Sequence, residues 1–399
     1  MITVGIVGMG RSGWELHATH LQTIPGYRVV AVCDQSETRL AKAAETFHAR
    51  PYGDALKLIA DPEVQLVVVA VPGQLHKPLT IAALEAGKHV VVEKPMAVTL
   101  ADAEEMCAAA ERTGRVLTVF HNRRWDRDYL MVKALVQGGV LGELLTLDSR
   151  VMTYGPAWAT YGVPEFDPAW RTKAAYGGGF MADWAPHLLE QTLDLTGEWP
   201  ASVTCQLRSH LWATEVEDYF YLRLTFSSGL LVTLEGSNNA RIPLPRWFVV
   251  GREGTLVADG AWGRWTDMRI RNTTTGMTMD LVPQDVGPSS GGRAYDVGEE
   301  LSAFFYGDLA EALATGRPPA INAQRGRDVM AILEAARHSN ATGQTVTLEA
   351  RRSKGAGEQG LCHSERSEES RGGEQGSEGA GERGLCHSER SEESRGGER

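Results

Sequence analysis

Several classes of protein are excluded by what this sequence has little of. Its 399 residues include only five cysteines, spaced neither as a disulfide framework nor as the Cys/His pattern of a zinc site. No apolar run approaches the roughly 18 residues that a membrane-spanning helix needs. The 40 Lys and Arg residues are outnumbered by 51 Asp and Glu residues and form no basic stripe. We therefore expect no metal, no membrane insertion and no nucleic-acid partner.

The N-terminus also lacks the features of an export signal. The stretch "MITVGIVGMGRSG" has no basic leader, and glycines stand where a signal peptide carries its apolar core. Together with the few cysteines, this predicts a reducing, cytoplasmic location. Hydrophobic residues make up 42% and charged residues 23% of the chain, as in globular proteins, and the length suits two domains.

The last fifty residues differ in composition from the rest of the chain. Residues 355–374 recur almost unchanged at 379–398, and the segment has almost no apolar side chains. Such a segment cannot bury enough surface to offset the entropy that it loses on ordering. Residues 350–399 are therefore predicted to be a disordered, low-complexity repeat tail, with binding of a partner through its Ser and Glu clusters as the alternative.

Residues 1–121 alternate between two patterns. Continuous β-branched runs such as "ITVGIVG", "RVVAVCD" and "QLVVVAVP" are typical of strands that are buried on both faces of a parallel sheet. Helical patterns separate these runs and lie at 12–23, 37–46, 54–60, 75–86 and 100–113. The alternation predicts a doubly wound α/β domain of the Rossmann type over 1–121.

The pattern changes after residue 121. A helix over 128–137 is followed by the strand pattern "GGVLGELLTLDSRV", and another helix begins near Met181. Seven alternating segments, separated by turn signals, then predict an antiparallel meander, and two helices follow at 299–315 and 324–342. We predict an α+β domain over 122–349 with a large open, mostly antiparallel sheet.

A glycine-rich turn, "GMGRSG", joins the first predicted strand to the first predicted helix. Gly8, Gly10 and Gly13 permit a tight turn and a close approach of a pyrophosphate. The helix then begins with Arg11 and Ser12, whose free N–H groups face the phosphates together with the positive end of the helix dipole. This arrangement predicts a dinucleotide site.

A carboxylate ends the second predicted strand. Asp34 lies 21 residues after Gly13, where it is placed to accept hydrogen bonds from the adenosine ribose hydroxyls. Because the carboxylate would repel a 2′-phosphate, NAD is favoured over NADP as the cofactor. Ser36 and Arg39 lie near enough to soften that preference.

Two further motifs follow buried strands of the same sheet. "VPGQLH", with Pro72 and His76, follows the fourth strand, and "VVVEKP" ends the fifth strand with Glu93 and Lys94. The carboxyl edge of an open α/β sheet is where cofactors bind, so all four residues are expected at the cofactor. A surface lysine paired with Glu93 is the alternative for Lys94.

The stretch "YGGGFMADWAPHLLEQTLDLTG" combines three glycines with two titratable residues. Asp183 and His187 stand four residues apart, about one helical turn, among Trp and Leu side chains. An ordinary amphipathic helix with two solvated polar residues and an acid–base pair over a substrate both fit this spacing. In the second interpretation the glycines let the backbone and a ligand approach each other.

Taken together, "GMGRSG", "VVVEKPMAVTL" and "GGGFMADWAPHLLEQ" resemble the Gfo/Idh/MocA oxidoreductases over about residues 2–348. "FHNRRWDRDYLMVKALVQGGVLGE" resembles most a subgroup that contains scyllo-inositol dehydrogenases. The resemblance implies an NAD(P)-dependent enzyme that transfers a hydride between nicotinamide and a secondary alcohol or ketone of a polyol, inositol or sugar. It also implies a homo-dimer or homo-tetramer that assembles through the open sheet.

The same resemblance assigns roles to three residues. Lys94 would bridge the nicotinamide and the substrate hydroxyl, Asp183 would hold the substrate and the lysine, and His187 would exchange the proton. A histidine suits that task, because its ordinary pKa lies near neutrality. Glu190 departs from the family, since relatives usually carry Asp there.

Four residues are expected to face the substrate. Asn122 and Arg124 in "HNRRW" lie at the predicted domain junction, where a cleft between two domains would hold a small molecule. Trp170 and Arg171 precede the glycines of "YGGG", with an interdomain salt bridge as the alternative for Arg171.

Two other functions remain compatible with the motifs. One is a dinucleotide-binding sensor without turnover, since a fold does not guarantee catalysis. The other is a glycosidase of the same fold that uses NAD transiently. His17 and His20, three residues apart on the first helix, are expected to pack or to contact the nicotinamide rather than to bind a metal.

Overall fold

The computed structural model describes residues 1–156, 171–259, 268–276, 278–281 and 298–349. These residues lie within one compact unit, Met1–Arg351, and contain a parallel sheet and a second, mostly antiparallel sheet. The predicted fold class is therefore confirmed. The predicted tail, 350–399, and Trp170 lie outside the described residues.

The parallel sheet is built from the β-branched runs. Its six strands lie in the order β3-β2-β1-β4-β5-β6, with every neighbouring pair parallel. The strands are β1 (Ile2–Val7), β2 (Tyr27–Cys33), β3 (Arg50–Tyr52), β4 (Leu66–Val69), β5 (His89–Val92) and β6 (Leu117–Val119). All four residues of β4 are fully buried, as expected for a strand covered on both faces.

Helices alternate with these strands close to the predicted positions. The first, α1, has the wide π pitch over Ser12–Ala18 and continues with the α pitch over Thr19–Thr23. The next are α2 (Glu37–Phe47), α3 (Ala55–Ile59), α4 (His76–Glu85) and α5 (Leu100–Thr113). Ser36, Asp54 and Thr99 cap α2, α3 and α5, each accepting a backbone N–H of the first turn.

The second sheet has nine strands within the described residues, in the order β14-β13-β12-β11-β7-β10-β9-β8-β15. These are β7 (Leu144–Met152), β8 (Ser202–Arg208), β9 (Tyr219–Thr225), β10 (Leu231–Ser237), β11 (Trp247–Gly251), β12 (Gly254–Ala258), β13 (Met268–Asn272), β14 (Thr278–Leu281) and β15 (Val346–Thr347). Strand β7 lies between β10 and β11 and runs parallel to β10, so the predicted meander is interrupted. The other pairs are antiparallel.

Four more helices complete the described part of the chain: α6 (Arg127–Gln137), α7 (Phe180–Thr196), α8 (Gly298–Thr315) and α9 (Ala323–Thr342). Helix α7 packs against β7, β9 and β10 of the second sheet. Helix α9 packs against β8 and also against α5 and β6 of the first half. The last helices therefore join the two halves, and the predicted boundary at residues 121 and 122 stays a prediction.

Candidate active site

The glycine-rich turn after β1 is shaped by contacts that a side chain would prevent. Gly8 has a φ of 94°, and a Cβ there would lie 2.3 Å from the carbonyl oxygen of Ala70. A Cβ on Gly13 would lie 1.8 Å from the oxygen of Gly8. Gly10 instead borders open space, with no protein atom within 4 Å of its Cβ position. The turn thus packs tightly on its own chain and leaves open space beside the N-terminus of α1, which fits a bound phosphate.

Asp34 adjoins this turn at the end of β2. One carboxylate oxygen accepts the N–H of Met9 at 2.8 Å, and the other accepts the N–H of Ser36, also at 2.8 Å. Arg39 forms an ion pair with the second oxygen at 2.8 Å. Asp34 is therefore joined to the glycine-rich turn through Met9, and a guanidinium stands beside it.

Lys94 and Asp183 meet in a close ion pair across the carboxyl edge of the first sheet. The Lys94 Nζ donates to Asp183 Oδ1 at 2.6 Å and to the Asp183 backbone oxygen at 2.9 Å. Their side chains are 17% and 19% exposed, so both remain within reach of a small molecule. The contact joins β5 to helix α7 and brings together two motifs that are 89 residues apart.

Other cationic groups also surround Asp183. Burial acts to raise the pKa of this carboxyl, but Lys94, followed by Arg171 and Arg11, outweighs it and holds the pKa below its usual value. Asp183 is therefore an anion at neutral pH.

Glu93, the residue before Lys94, is held by His17 on α1 and by the backbone N–H of Lys94. Its Oε1 lies 3.2 Å from His17 Nε2, and its Oε2 accepts the N–H of Lys94 at 3.1 Å. His17 is fully buried, and its Nδ1 lies 2.7 Å from the Tyr306 hydroxyl on α8. Glu93 thus anchors the backbone of Lys94, and His17 serves as a packing residue that links α1 to α8.

Pro72 and His76 shape the loop that follows β4. Pro72 precedes a single 3₁₀ turn, Gly73–Leu75, and His76 begins α4. The buried His76 ring lies between two carbonyl oxygens, with Nδ1 2.9 Å from Pro95 O and Nε2 2.8 Å from Val71 O. Its side chain therefore ties this loop to the loop of Lys94.

Helix α7 is held at its start by a distant carboxylate. Glu217 accepts the N–H of Met181 at 2.9 Å, which satisfies one of the free donors of the first turn. A Cβ on Gly178 would lie 2.2 Å from the Arg171 oxygen, and one on Gly179 would lie 2.3 Å from Glu217 Oε1. The expectation that these glycines make room for a ligand is wrong at these two positions, since protein atoms fill the space.

His187 lies one turn after Asp183 on α7 and next to a second histidine. His187 is 5% exposed, and its ring centre lies 6.0 Å from that of His121, with the planes at 84°. Burial lowers the pKa of His187 well below its ordinary value, and Lys94 and Arg123 lower it further. The imidazole is therefore neutral at neutral pH and can accept a proton.

Arg124 is engaged by carboxylates of α7. It forms ion pairs with Glu190 and Asp194, and Asp194 also pairs with Lys133 at 2.7 Å. Glu190, at which the sequence departs from the resemblance, is thus an ion-pair partner of Arg124. Asn122, in the same 3₁₀ turn, is 8% exposed and precedes the arginines.

Sequence reasoning missed His121 and Glu217. His121 directly precedes the predicted substrate motif, and its place at the end of β6 is a signal that could have found it. Glu217 carries no comparable signal, because it reaches α7 from 36 residues away. No group of three metal-ligating side chains lies together among the described residues. No helix in the described part of the chain is long and apolar enough to cross a bilayer.

Comparison with known proteins identifies two family models in this chain. Residues 2–121 match the model described as "Oxidoreductase family, NAD-binding Rossmann fold". Residues 129–280 match the model described as "GFO/IDH/MocA C-terminal domain". The two matches are separated by residues 122–128, and together they include the first sheet and most of the second.

Individual relatives agree with these models. The uncharacterized oxidoreductase YdgJ of Escherichia coli is 36% identical over 65% of this chain and 71% of its own length. The scyllo-inositol 2-dehydrogenase (NADP(+)) IolW of Bacillus subtilis is 30% identical over 87% of this chain and 96% of its own. The solved structure of the oxidoreductase yvaA from Bacillus subtilis superposes with a TM-score of 0.74 at 28% identity, over 87% of this chain and 98% of that one.

Proposed function

This chain belongs to the Gfo/Idh/MocA oxidoreductases, and we propose that it transfers a hydride between NAD(P) and a secondary alcohol or ketone of a polyol, inositol or sugar. One observation carries the proposal. The Lys94–Asp183 ion pair lies at the carboxyl edge of the parallel sheet, and His187 follows one helical turn later. A cation and an anion thus meet at this edge of the sheet, with a neutral base one helical turn away.

Lys94 stabilises negative charge on the substrate oxygen. When the hydroxyl proton leaves ahead of the hydride, the substrate oxygen carries growing negative charge, and this charge is lost as the hydride departs and the carbonyl forms. The Lys94 ammonium is already fixed by two hydrogen bonds to Asp183, so it need not reorganise during the reaction. Asp183 keeps the ammonium in place and accepts a hydrogen bond from a substrate hydroxyl.

His187 accepts the hydroxyl proton in oxidation and returns it in reduction. The residue is suited to this role because its imidazole is neutral at neutral pH and lies on the same helix face as Asp183. The nicotinamide, when bound, supplies the hydride chemistry, while Gly8–Gly13 and Asp34 would hold its dinucleotide. Asn122 and Arg171 are our proposed substrate contacts, and Trp170, which lies outside the described residues, stays a prediction from the sequence.

Activity on a panel of substrates tests the proposal. Purified protein should reduce NAD or NADP with at least one member of a set of inositols, polyols and aldoses, beginning with scyllo-inositol, which IolW is named for. Tight NADH binding with no turnover on the whole panel would indicate a sensor instead. Release of a free sugar from a glycoside without net NADH formation would indicate the glycosidase alternative.

Replacing Asp34 with serine should shift the cofactor preference towards NADP. The change removes the carboxylate that repels a 2′-phosphate and releases the Arg39 guanidinium from its 2.8 Å ion pair. We expect the ratio of kcat/KM for NADP to that for NAD to rise by about 10-fold or more, since one charge contact is worth roughly 1–3 kcal/mol. Steady-state kinetics with both cofactors measure this ratio, and an unchanged ratio would contradict the role of Asp34.

A second copy of the chain is proposed to cover the open face of the second sheet. Helices α7 and α9 cover the other face, whereas Tyr221, Phe248 and Val257 alternate with fully buried neighbours and remain partly exposed. Phe248 and Val257 are cross-strand partners on this face, and partly exposed apolar side chains that adjoin each other are typical of an oligomer contact.

Phe248→Lys should therefore dissociate the assembly. We expect the mass measured by light scattering to fall to that of the 43.4 kDa monomer, because the introduced ammonium would be buried in the interface without a partner. The matched control is Leu56→Lys on α3, where the leucine is 58% exposed and away from this sheet. If the Phe248→Lys and Leu56→Lys variants had the same measured mass, the contact between the two copies would lie elsewhere on the chain.

A further inference from the structure

His121 and His187 present an unusual set of buried nitrogens. His121 is 1% exposed, and neither of its ring nitrogens has a hydrogen-bond partner among the described residues. The same holds for Nδ1 of His187. An unsatisfied buried polar atom costs about 1–3 kcal/mol, so three of them at one contact require an explanation.

The chemistry proposed for His187 defines what its second nitrogen must do. A neutral imidazole carries one proton, so an Nε2 that accepts the substrate proton requires that Nδ1 carry the hydrogen. Nδ1 is the buried nitrogen, and its N–H needs an acceptor to hold this tautomer. Catalytic histidines usually donate this hydrogen to a carboxylate or carbonyl, and none in the described part of the chain accepts it here.

We propose that His121 is the positioning residue that fixes the tautomer of His187. One bridging water accepts the His187 Nδ1 hydrogen and donates to an unprotonated nitrogen of His121, so that His187 presents a free Nε2 to the substrate. The inference rests on the proposed function, because it assigns to His121 a task that exists only if His187 exchanges the proton.

The distance between the rings supports a bridged contact rather than a direct one. A direct N–H···N hydrogen bond of about 3 Å would bring two imidazole centres to roughly 5 Å. The observed centres are 6.0 Å apart and nearly perpendicular. Buried water is common between polar groups that cannot reach each other, and it typically makes about three hydrogen bonds. The Nδ1–H of His187 and one ring nitrogen of His121 are two of these partners.

The charges around His121 keep it able to accept. Burial lowers its pKa to about 3, and Lys94, Arg124 and Arg325 lower it while Glu93 acts in the opposite direction. His121 therefore remains neutral throughout the working range of pH and always retains one nitrogen lone pair. A histidine that became charged would lose this lone pair and could no longer order the water.

Two variants of His121 separate an acceptor from a packing residue. His121→Phe keeps a ring but removes both nitrogens, and His121→Gln keeps an acceptor oxygen. We expect the Phe variant to lower kcat by about 10- to 100-fold with KM and the Kd for NADH within a factor of about three, whereas the Gln variant retains most of the activity. Equal losses in both variants, or normal kcat in the Phe variant, would overturn the assignment.

Nuclear magnetic resonance of the full chain with ¹⁵N-labelled histidine gives a readout that is independent of turnover. The His187 signals are identified by their loss in His187→Asn. We expect the Nδ1-protonated tautomer in the wild type and in His121→Gln, and a mixture in His121→Phe. A wild-type His187 protonated on Nε2 would overturn the inference even if no variant folded. If His187→Ala had no turnover while His121→Phe had normal turnover, only this inference would be refuted. If His187→Ala kept its turnover, the proposed function would be refuted.

Discussion

Lys94→Met should lower kcat by about 10³-fold on a confirmed substrate while leaving NADH binding nearly unchanged. The methionine keeps most of the side-chain volume but removes the ammonium that now donates to Asp183 at 2.6 and 2.9 Å. Without this cation, the charge that develops on the substrate oxygen has no fixed partner. Steady-state kinetics and fluorescence titration with NADH measure the two effects separately.

The same substitution at another lysine controls for the loss of charge. Lys77 on α4 pairs with Asp102 and Glu105 on α5. Lys77→Met should leave kcat within a factor of about two, because surface ion pairs are worth little. A Lys94→Met enzyme with turnover close to that of Lys77→Met would show that Lys94 acts only as a structural partner of Asp183.

His187→Ala should lower kcat by about 10²- to 10⁴-fold, the range that general acid–base groups contribute. The ring is buried beside Lys94 and His121, so no solvent group replaces it as the proton acceptor. The exposed His338 on α9 offers a matched control, because His338→Ala changes the same side chain away from the cleft. Full activity of the His187→Ala variant would show that a group other than His187 accepts the proton.

The pH profile of the wild type should reflect the depressed pKa of His187. Burial and the nearby Lys94 disfavour the imidazolium, so the neutral base persists below the ordinary pKa of 6.5. In the oxidation direction, the acid limb of kcat/KM should therefore lie below pH 6.5. A limb above that value would mean that a different group, or a His187 stabilised in its charged form, controls the reaction.

Local patterns were sufficient to predict the first sheet and its glycine-rich turn. The β-branched runs and the amphipathic stretches between them alternate clearly, and the helices lie within about two residues of the expected bounds. Strand β3 was missed because it has only three residues and contains Pro51, which weakens any strand pattern.

Long-range pairing could not be predicted in the same way. Strand β7 inserts between β10 and β11, although its own residues resemble any other alternating strand. The ion pair of Arg124 with Glu190 spans 66 residues, and it holds a side chain that the motif alone placed at the substrate. Such contacts depend on which helix face meets which loop, and neither propensity nor spacing encodes that choice.

Contacts between the first half of the chain and α8, such as that of His17 with Tyr306, also constrain how the protein folds during its synthesis. The Tyr306 backbone oxygen accepts the hydroxyl of Tyr27 on β2, and the Ile321 oxygen accepts that of Thr118 on β6. Tyr27 thus gains its acceptor only after a further 279 residues have been synthesised, and Thr118 only after a further 203. The first half of the chain therefore completes these buried hydrogen bonds only after α8 and the residues before α9 have been synthesised.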